Sequence, residues 1–369
     1  MNGSKKILTD RVLFCLFSLI LFIAFAVLCA ILKTDASYPA QIGAHSSLEA
    51  ELPDETAPSV TQPSDAYERI QIHFLGTCTP ASMLGSSTFG TFNQAYAANG
   101  ADYFFRRLSE RFLADDWTVA GCDAVFTDRQ DLTLVQKTPP EWYKAPAKTA
   151  DVFASGGIDA LSIACLRALD YGMDGYADTK NALEQASLQW GDSGKAMTMA
   201  FPGGITAAVA CSSYTSDHLP GLISWVGEAA AQYDFVALYM TDTDDSHTVS
   251  EEKKTAFRSL IDAGADLVVG TNGKKLQPAE NYNGGFIAYS LGSILDGSSK
   301  YPEKYTALLQ VELRADFGEI REVIYHLLPC ITYQDEHAWE PRLIEEESER
   351  EAALGFLHGE RETPDPQKS

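Results

Sequence analysis

The chain has 369 residues, 51 of them acidic and 28 basic, so its formal charge at pH 7 is -23. This length is enough for one large domain with tails. The charge argues against nucleic acid and anionic membrane surfaces as partners, because both require a basic footprint on the protein. Five cysteines follow the apolar N-terminal run without CxxC or zinc-like spacing, and we interpret them as small buried residues: Cys78, Cys122, Cys165, Cys211 and Cys330.

An uninterrupted apolar run occupies residues 12–32, with Lys5, Lys6 and Arg11 before it and Lys33 after it. A helix needs about 20 apolar residues to cross a bilayer, whereas the apolar core of a signal peptide has about 7–15. We therefore predict a cytoplasmic N-terminus at residues 1–11, a transmembrane signal anchor at residues 12–32 and an extracytoplasmic remainder. A buried core helix is the alternative, but it would not explain the flanking charges. Residues 33–68 are rich in Pro, Ser, Thr and Glu, which predicts a disordered linker.

Short apolar runs alternate with helical patterns from residue 69 to residue 330, which predicts an α/β (α+β) domain. Strands are predicted at residues 70–75, 158–164, 197–201, 205–211, 235–240, 265–269, 286–290, 306–313 and 320–328. Helices are predicted at residues 100–113, 174–188, 222–231 and 255–263. Residues 331–369 are predicted to be a charged tail with a helix at residues 344–359.

The stretch at residues 262–293 has the pattern strand, polar loop, strand. Loops at strand ends carry chemistry more often than the strands themselves. Two interpretations stay open from the residues alone: an active-site loop, or a plain surface loop between two core strands.

Several spaced motifs resemble the CapA family of capsule-synthesis proteins over about residues 70–330. The shared residues are Gly264, Ala265, Asp266, Leu267, Val268, Gly270, Leu276, Gln277, Pro278, Glu280, Tyr282, Gly284, Ile287, Tyr289, Ser290, Leu291 and Gly292, together with Ala164, Asp170, Tyr171 and Gly172 of a second motif. The resemblance implies an association with poly-γ-glutamate capsules. It also implies a layered metallophosphatase-like β-sandwich flanked by helices, of the calcineurin type.

The polar centres of these motifs depart from the family at every position where the resemblance implies metal ligands or their neighbours. Thr77 stands for an Asp, Gly121 for an Asn, Asp123 for a Glu, Arg167 for a His, and Asn272 and Lys274 for two His. Neutral hydroxyls and protonated guanidinium groups do not supply the lone pairs that a divalent cation requires. We therefore expect no metal, no cofactor and no catalytic residue.

The first hypothesis is a membrane-anchored, catalytically inactive CapA-like protein that binds or scaffolds during capsule polymer synthesis. Arg167 and Lys274, with Asp123, Thr77 and Asn272, would converge on one cleft and bind an anion such as phosphate or a polymer carboxylate. Other capsule-synthesis proteins are further expected partners. The alternative for Arg167 is a pair with a local acid, Asp170 or Asp123, because buried charges need partners.

The second hypothesis is an active metal-dependent hydrolase of the metallophosphoesterase type with a rebuilt site formed by Asp123, Asp242, Asp244 and His247. The acidic run at residues 242–245 could bind Ca²⁺ or Mg²⁺ through hard oxygens, or it could be a solvated loop. A third interpretation is an anchored structural protein without a ligand.

Overall fold

The computed structural model describes residues 67–85, 90–136, 141–271, 274–298, 303–333 and 339–367. The predicted anchor at residues 12–32, most of the predicted linker and Asn272 lie outside these ranges. Among the helices within them, none combines the length and the apolar character needed to cross a membrane.

The strands are numbered in chain order. They are β1 (Glu68–Thr79), β2 (Ser82–Met83), β3 (Trp117–Cys122), β4 (Val125–Phe126), β5 (Tyr143–Ala145), β6 (Ala160–Ser162), β7 (Gln189–Gly191), β8 (Met197–Ala200), β9 (Thr206–Ser213), β10 (Phe235–Thr241), β11 (Leu267–Thr271), β12 (Leu276–Tyr282), β13 (Gly285–Leu291), β14 (Ser293–Asp296), β15 (Tyr305–Asp316), β16 (Glu319–Ile331) and β17 (Arg342–Leu343).

The α-helices are numbered in the same way. They are α1 (Phe92–Asn99), α2 (Ser109–Phe112), α3 (Asp151–Ser155), α4 (Gly172–Gln185), α5 (Leu219–Ala229), α6 (Glu251–Asp262) and α7 (Glu347–Leu357).

Two large sheets carry the fold. The first has the strand order β17-β16-β15-β1-β3-β6-β7, with β14 also paired to β1, and the second has the order β12-β13-β11-β10-β9-β8. Strands β1, β3, β6 and β7 are parallel in the first sheet, as are β9, β10, β11 and β13 in the second. A small third sheet, β2-β5-β4, lies beside the first.

The layers follow from alternation along the strands, because successive side chains point to opposite faces of a sheet. Phe74 and Val119 of the first sheet share a buried core with Ala237 and Val269 of the second. Their neighbours in sequence face the outer layers. Leu75 and Ala120 pack with α3 and α4 on one side, and Leu238 and Val268 pack with α5 and α6 on the other. The predicted α/β class is confirmed, and the order of layers is helices, sheet, sheet, helices.

Two predicted elements differ from the structure. Residues 100–113 do not form one helix: residues Ala101–Tyr103 form a short 3₁₀ turn, and α2 covers only Ser109–Phe112. Phe104, Phe105 and Leu108 are all buried there, so tertiary packing overrides the helical period. The polar loop predicted before residue 286 contains β12, which pairs antiparallel with β13.

The turn between β12 and β13 explains that second difference. Tyr282 pairs with Gly285, so Asn283 and Gly284 form a two-residue loop, and their φ values are 45° and 86°. Positive φ at both positions is the type I′ geometry, for which Asn-Gly is a strong sequence signal. This signal was present in the sequence and was missed.

The C-terminal helix packs on the domain. Helix α7 contacts β12 and β16, and its residues Phe356 and Leu357 belong to the core between the sheets. Part of the region predicted as a charged tail therefore contributes to the hydrophobic core.

Candidate functional site

The carboxyl ends of the parallel strands in both sheets meet at one edge of the molecule, which we call the strand-end edge. It comprises residue 77 of β1 and the residues that follow β3, β6, β10, β11 and β14. The two sheets touch there, since the Thr77 amide donates a hydrogen bond to the carbonyl of Gly292 at 3.0 Å. Glycine is required at residue 76, because a Cβ there would lie 2.1 Å from the Gly292 oxygen.

Thr77 is a buried residue of β1 and serves the strand pairing. Its carbonyl accepts a hydrogen bond from Ser293 Oγ at 3.1 Å, and it lies opposite Gly121 in the register with β3. The hydroxyl of Thr77 supplies no anionic oxygen to the edge.

Asp123 follows β3, Arg167 follows β6, and their side chains form an ion pair. The distance from Arg167 Nε to Asp123 Oδ2 is 2.9 Å, and the Arg167 amide donates to Asp123 Oδ1 at 3.3 Å. The side chains are 23% and 17% exposed. Burial disfavours the charge on Arg167, but the neighbouring Asp123 still raises the pKa of the guanidinium above its ordinary value. Of the two local acids considered for Arg167, Asp123 is the one whose ion pair the structure provides.

Lys274 forms a second pair with the carboxylate of Asp296, the last residue of β14. Lys274 Nζ lies 3.1 Å from Asp296 Oδ2 and 3.1 Å from Ser298 Oγ. Asp296 is buried, and its backbone carbonyl accepts a hydrogen bond from Trp339 Nε1 at 3.1 Å.

Tyr143 lies between these two pairs. The Arg167 guanidinium is 4.3 Å from the centre of the Tyr143 ring, which is cation–π geometry. Burial raises the pKa of the Tyr143 hydroxyl, while Arg167, a hydrogen bond with Ser298 and Lys274 oppose that change. The structure therefore brings Asp123, Arg167 and Lys274 to the strand-end edge with Thr77. Whether they bind an anion stays a prediction.

Tyr239 fills the space between the sheets directly below the edge. It is fully buried on β10, and its hydroxyl donates to the carbonyl of Leu75 on β1 at 2.8 Å. A Cβ at Gly121 would lie 2.6 Å from that hydroxyl. The absence of a side chain at Gly121 is what allows the Tyr239 ring to lie against β3.

A third cation–carboxylate pair lies beyond β10. Asp242 is buried, and its Oδ2 lies 2.5 Å from Nζ of Lys253 on α6. The first acid of the predicted cation-binding run thus already has a cation as its partner. His247, three residues beyond Asp244, directs Nδ1 at the carbonyl of Leu276 at 2.8 Å and packs edge-on against Phe356.

These residues do not fit a two-metal centre. Asp123 and Asp242 each hold a protonated side chain, and Arg167 and Lys274 offer donors only. Within the described ranges, no group of three or more His, Cys, Asp or Glu side chains is placed to hold a metal ion.

Four residues of this edge were missed by the sequence reasoning: Tyr143, Tyr239, Lys253 and Asp296. Only Lys253 had a usable signal, because it shares a face of α6 with the buried Ala256, Phe257 and Leu260. A lysine at that spacing indicates a buried charge that requires a partner.

Comparisons with known proteins match this domain to one family. The family model described as "Bacterial capsule synthesis protein PGA_cap" matches residues 81–298, more than half of the chain. The PGA biosynthesis protein CapA of Bacillus subtilis (strain 168) is 24% identical over 258 residues, which cover 63% of this chain and 67% of that protein. The capsule biosynthesis protein CapA of Bacillus anthracis is 22% identical over 253 residues, 61% of each protein.

Among solved structures, a hypothetical protein from Thermus thermophilus aligns with a TM-score of 0.41 and 12% identity, covering 70% of this chain and 99% of that one. The family match extends from residue 81, just after β1, through β14. It thus includes the ion pairs of Arg167 and Lys274 and the Tyr239 contact with Gly121. The chain belongs to the bacterial capsule synthesis protein family PGA_cap.

Proposed function

We propose that this protein takes part in capsule polymer biosynthesis at the cell envelope as a binding or scaffolding protein, without metal-dependent hydrolysis. Membership of the PGA_cap family and the names of the two CapA relatives support the pathway. The apolar run at residues 12–32 supports a membrane anchor, with the folded domain on the extracytoplasmic side.

The observation that carries the proposal is the ion pair between Arg167 and Asp123 at 2.9 Å. In the metallophosphatase-like fold that we expect, this position requires lone-pair donors for two metal ions that activate water. A guanidinium group in contact with the carboxylate repels such ions and occupies the ligand.

The ligand that we propose is an anionic chain such as poly-γ-glutamate. Arg167 has five N–H donors, and its hydrogen bond to Asp123 uses the one on Nε, while Lys274 has three donors and uses two on Asp296 and Ser298. Their remaining donors can meet carboxylates of a polymer. Because each cation already has an acidic partner, we expect weak contacts repeated along a chain rather than one tight site.

The first test is calorimetry of the purified protein with γ-linked glutamate oligomers. We expect measurable binding, and we expect Arg167→Ala to weaken it by about tenfold, since a hydrogen bond to a charged group contributes about 1.5–3 kcal/mol. The matched control is Arg258→Ala, which removes a similar ion pair with Glu280 away from the edge. Absence of heat together with no effect of Arg167→Ala would contradict the polymer ligand.

The second test is the metal content of the same preparation. We expect Mn, Fe and Zn well below one ion per chain. Stoichiometric metal would contradict the non-hydrolytic proposal and would support the alternative, a hydrolase with a site rebuilt from Asp123, Asp242, Asp244 and His247.

A further inference from the structure

Lys253 is a buried lysine in the first turn of α6. Its side chain is 2% exposed and packs beside the Phe257 ring, 5.3 Å from Nζ to the ring centre. An ammonium group in such surroundings is costly unless charge and hydrogen bonds compensate it. Burial lowers the pKa of Lys253, and it raises the pKa of the partner Asp242.

Oxygen atoms surround the ammonium group. Nζ lies 2.5 Å from Asp242 Oδ2 and donates to Gln277 Oε1 at 2.8 Å. A second carboxylate, that of Asp244, accepts from Gln277 Nε2 at 3.2 Å, and the Asp244 amide donates to Asp242 Oδ1 at 2.9 Å. Both carboxylates therefore belong to one connected cluster with Gln277.

The loop at residues 242–248 is folded around this cluster. The fully buried Gln277 also donates from Nε2 to the carbonyl of Ser246 at 2.8 Å and to that of Thr248 at 3.2 Å. Two carboxylates, one side-chain amide and two main-chain carbonyls thus surround one small volume. Hard-oxygen sets of this kind bind Ca²⁺ or Mg²⁺ in proteins.

We propose that the Lys253 ammonium is the built-in cation of an oxygen cage formed by Asp242, Asp244, Gln277 and the carbonyls of residues 246 and 248, and that this cage accepts a hard divalent cation when the ammonium is removed. The protein thereby keeps the loop after β10 in place at the strand-end edge without an external metal. The proposal does not depend on the polymer ligand or on the absence of hydrolysis, because it concerns only this cage.

The test compares Lys253→Ala with Lys253→Met in the full chain. Both substitutions leave Asp242 without its cation, but alanine opens space for an ion while methionine fills that space. We expect both variants to unfold at a lower temperature than the wild type. We expect about 10 mM CaCl₂ or MgCl₂ to raise the midpoint of Lys253→Ala by roughly 3–5 °C, as a site with a millimolar Kd would, and to leave Lys253→Met and the wild type unchanged.

Equal stabilisation of Lys253→Ala and Lys253→Met by either salt would overturn the proposal, as would no stabilisation of a folded Lys253→Ala. If Lys253→Ala is recovered only when CaCl₂ or MgCl₂ is present during purification, the cage is supported. The double variant Asp242→Asn/Lys253→Met removes both charges and should fold without either salt. If it folds while Lys253→Ala cannot be recovered in any salt, the cage does not accept a divalent ion and the proposal is wrong.

Discussion

At the scale of single residues, three acids near the strand-end edge each contact a cation of the same chain. The pairs are Asp123 with Arg167, Asp242 with Lys253, and Asp296 with Lys274. Coulombic pairing lets carboxylates stay ionised in a poorly solvated site. The sequence showed that metal-donor residue types were replaced, but it did not show which acid meets which cation, because each pair is closed by residues distant in the chain.

Gly121 offers a test at this scale. We expect Gly121→Ala to destabilise the protein by about 1–3 kcal/mol, the usual cost of adding a methyl group to a filled core. The reason is that the new Cβ would lie 2.6 Å from the Tyr239 hydroxyl. Urea denaturation of the variant and the wild type measures the difference.

Gly227→Ala is the control for that experiment. Gly227 lies in α5, and a Cβ there would have no neighbour within 4 Å. Alanine favours a helix over glycine, so we expect this variant to be unchanged or more stable by up to about 1 kcal/mol. A Gly121→Ala protein as stable as Gly227→Ala would mean that Tyr239 does not pack against β3.

At the scale of elements, Glu340 joins the segment before β17 to the segment before α2. The Glu340 side chain is fully buried, and its Oε1 accepts from Arg106 Nε at 2.8 Å and from Arg107 Nε at 2.7 Å. Burial disfavours the charge, but the two arginines lower the pKa of Glu340 from 4.5 to about 2. This contact fixes residues 104–108 in a non-helical path that their periodicity did not predict.

This pKa shift predicts acid sensitivity. The carboxylate is more acidic in the folded state, so its stabilisation is fully present above about pH 4.5 and is lost as the pH falls towards 2. We expect a contribution on the order of 1–3 kcal/mol, reduced by the exposure of both arginines. Urea denaturation from pH 7 to pH 3 should show Glu340→Gln to be less stable at pH 7, with a smaller gap to the wild type at pH 3.

Glu322→Gln provides the comparison for Glu340. Glu322 pairs with Arg314 but its side chain is 54% exposed, and exposed pairs contribute little. We expect this variant to follow the wild type at every pH. A constant gap between Glu340→Gln and the wild type across the range would show that the buried carboxylate is not the titrating group.

At the scale of the whole molecule, the domain needs its C-terminal helix. Helix α7 covers the outer strands β12 and β16, although it lies beyond the residues that match the family model. We expect Phe356→Ala to lower the free energy of unfolding by about 3–5 kcal/mol, as for other buried phenylalanines, because Phe356 is 2% exposed in the core between the sheets. Chemical denaturation of the two proteins measures this change.

Phe317→Ala is the matched substitution. Phe317 is 95% exposed in the turn between β15 and β16, so its removal should change stability by less than about 0.5 kcal/mol. Similar values for the two phenylalanine variants would mean that α7 is not part of the cooperative unit.

The sequence by itself determined the alternation of strands and helices, the hairpins at residues 197–211 and 306–328, and the family frame, because periodicity, turn residues and spaced motifs are local properties. It also showed that Thr77, Arg167 and Lys274 stand where lone-pair donors are expected. Only the tertiary structure decided that Tyr239 meets Gly121, that Lys253 meets Asp242 and that α7 closes the core. Those contacts join residues far apart in the chain, and their energies depend on burial and distance, which no local pattern contains.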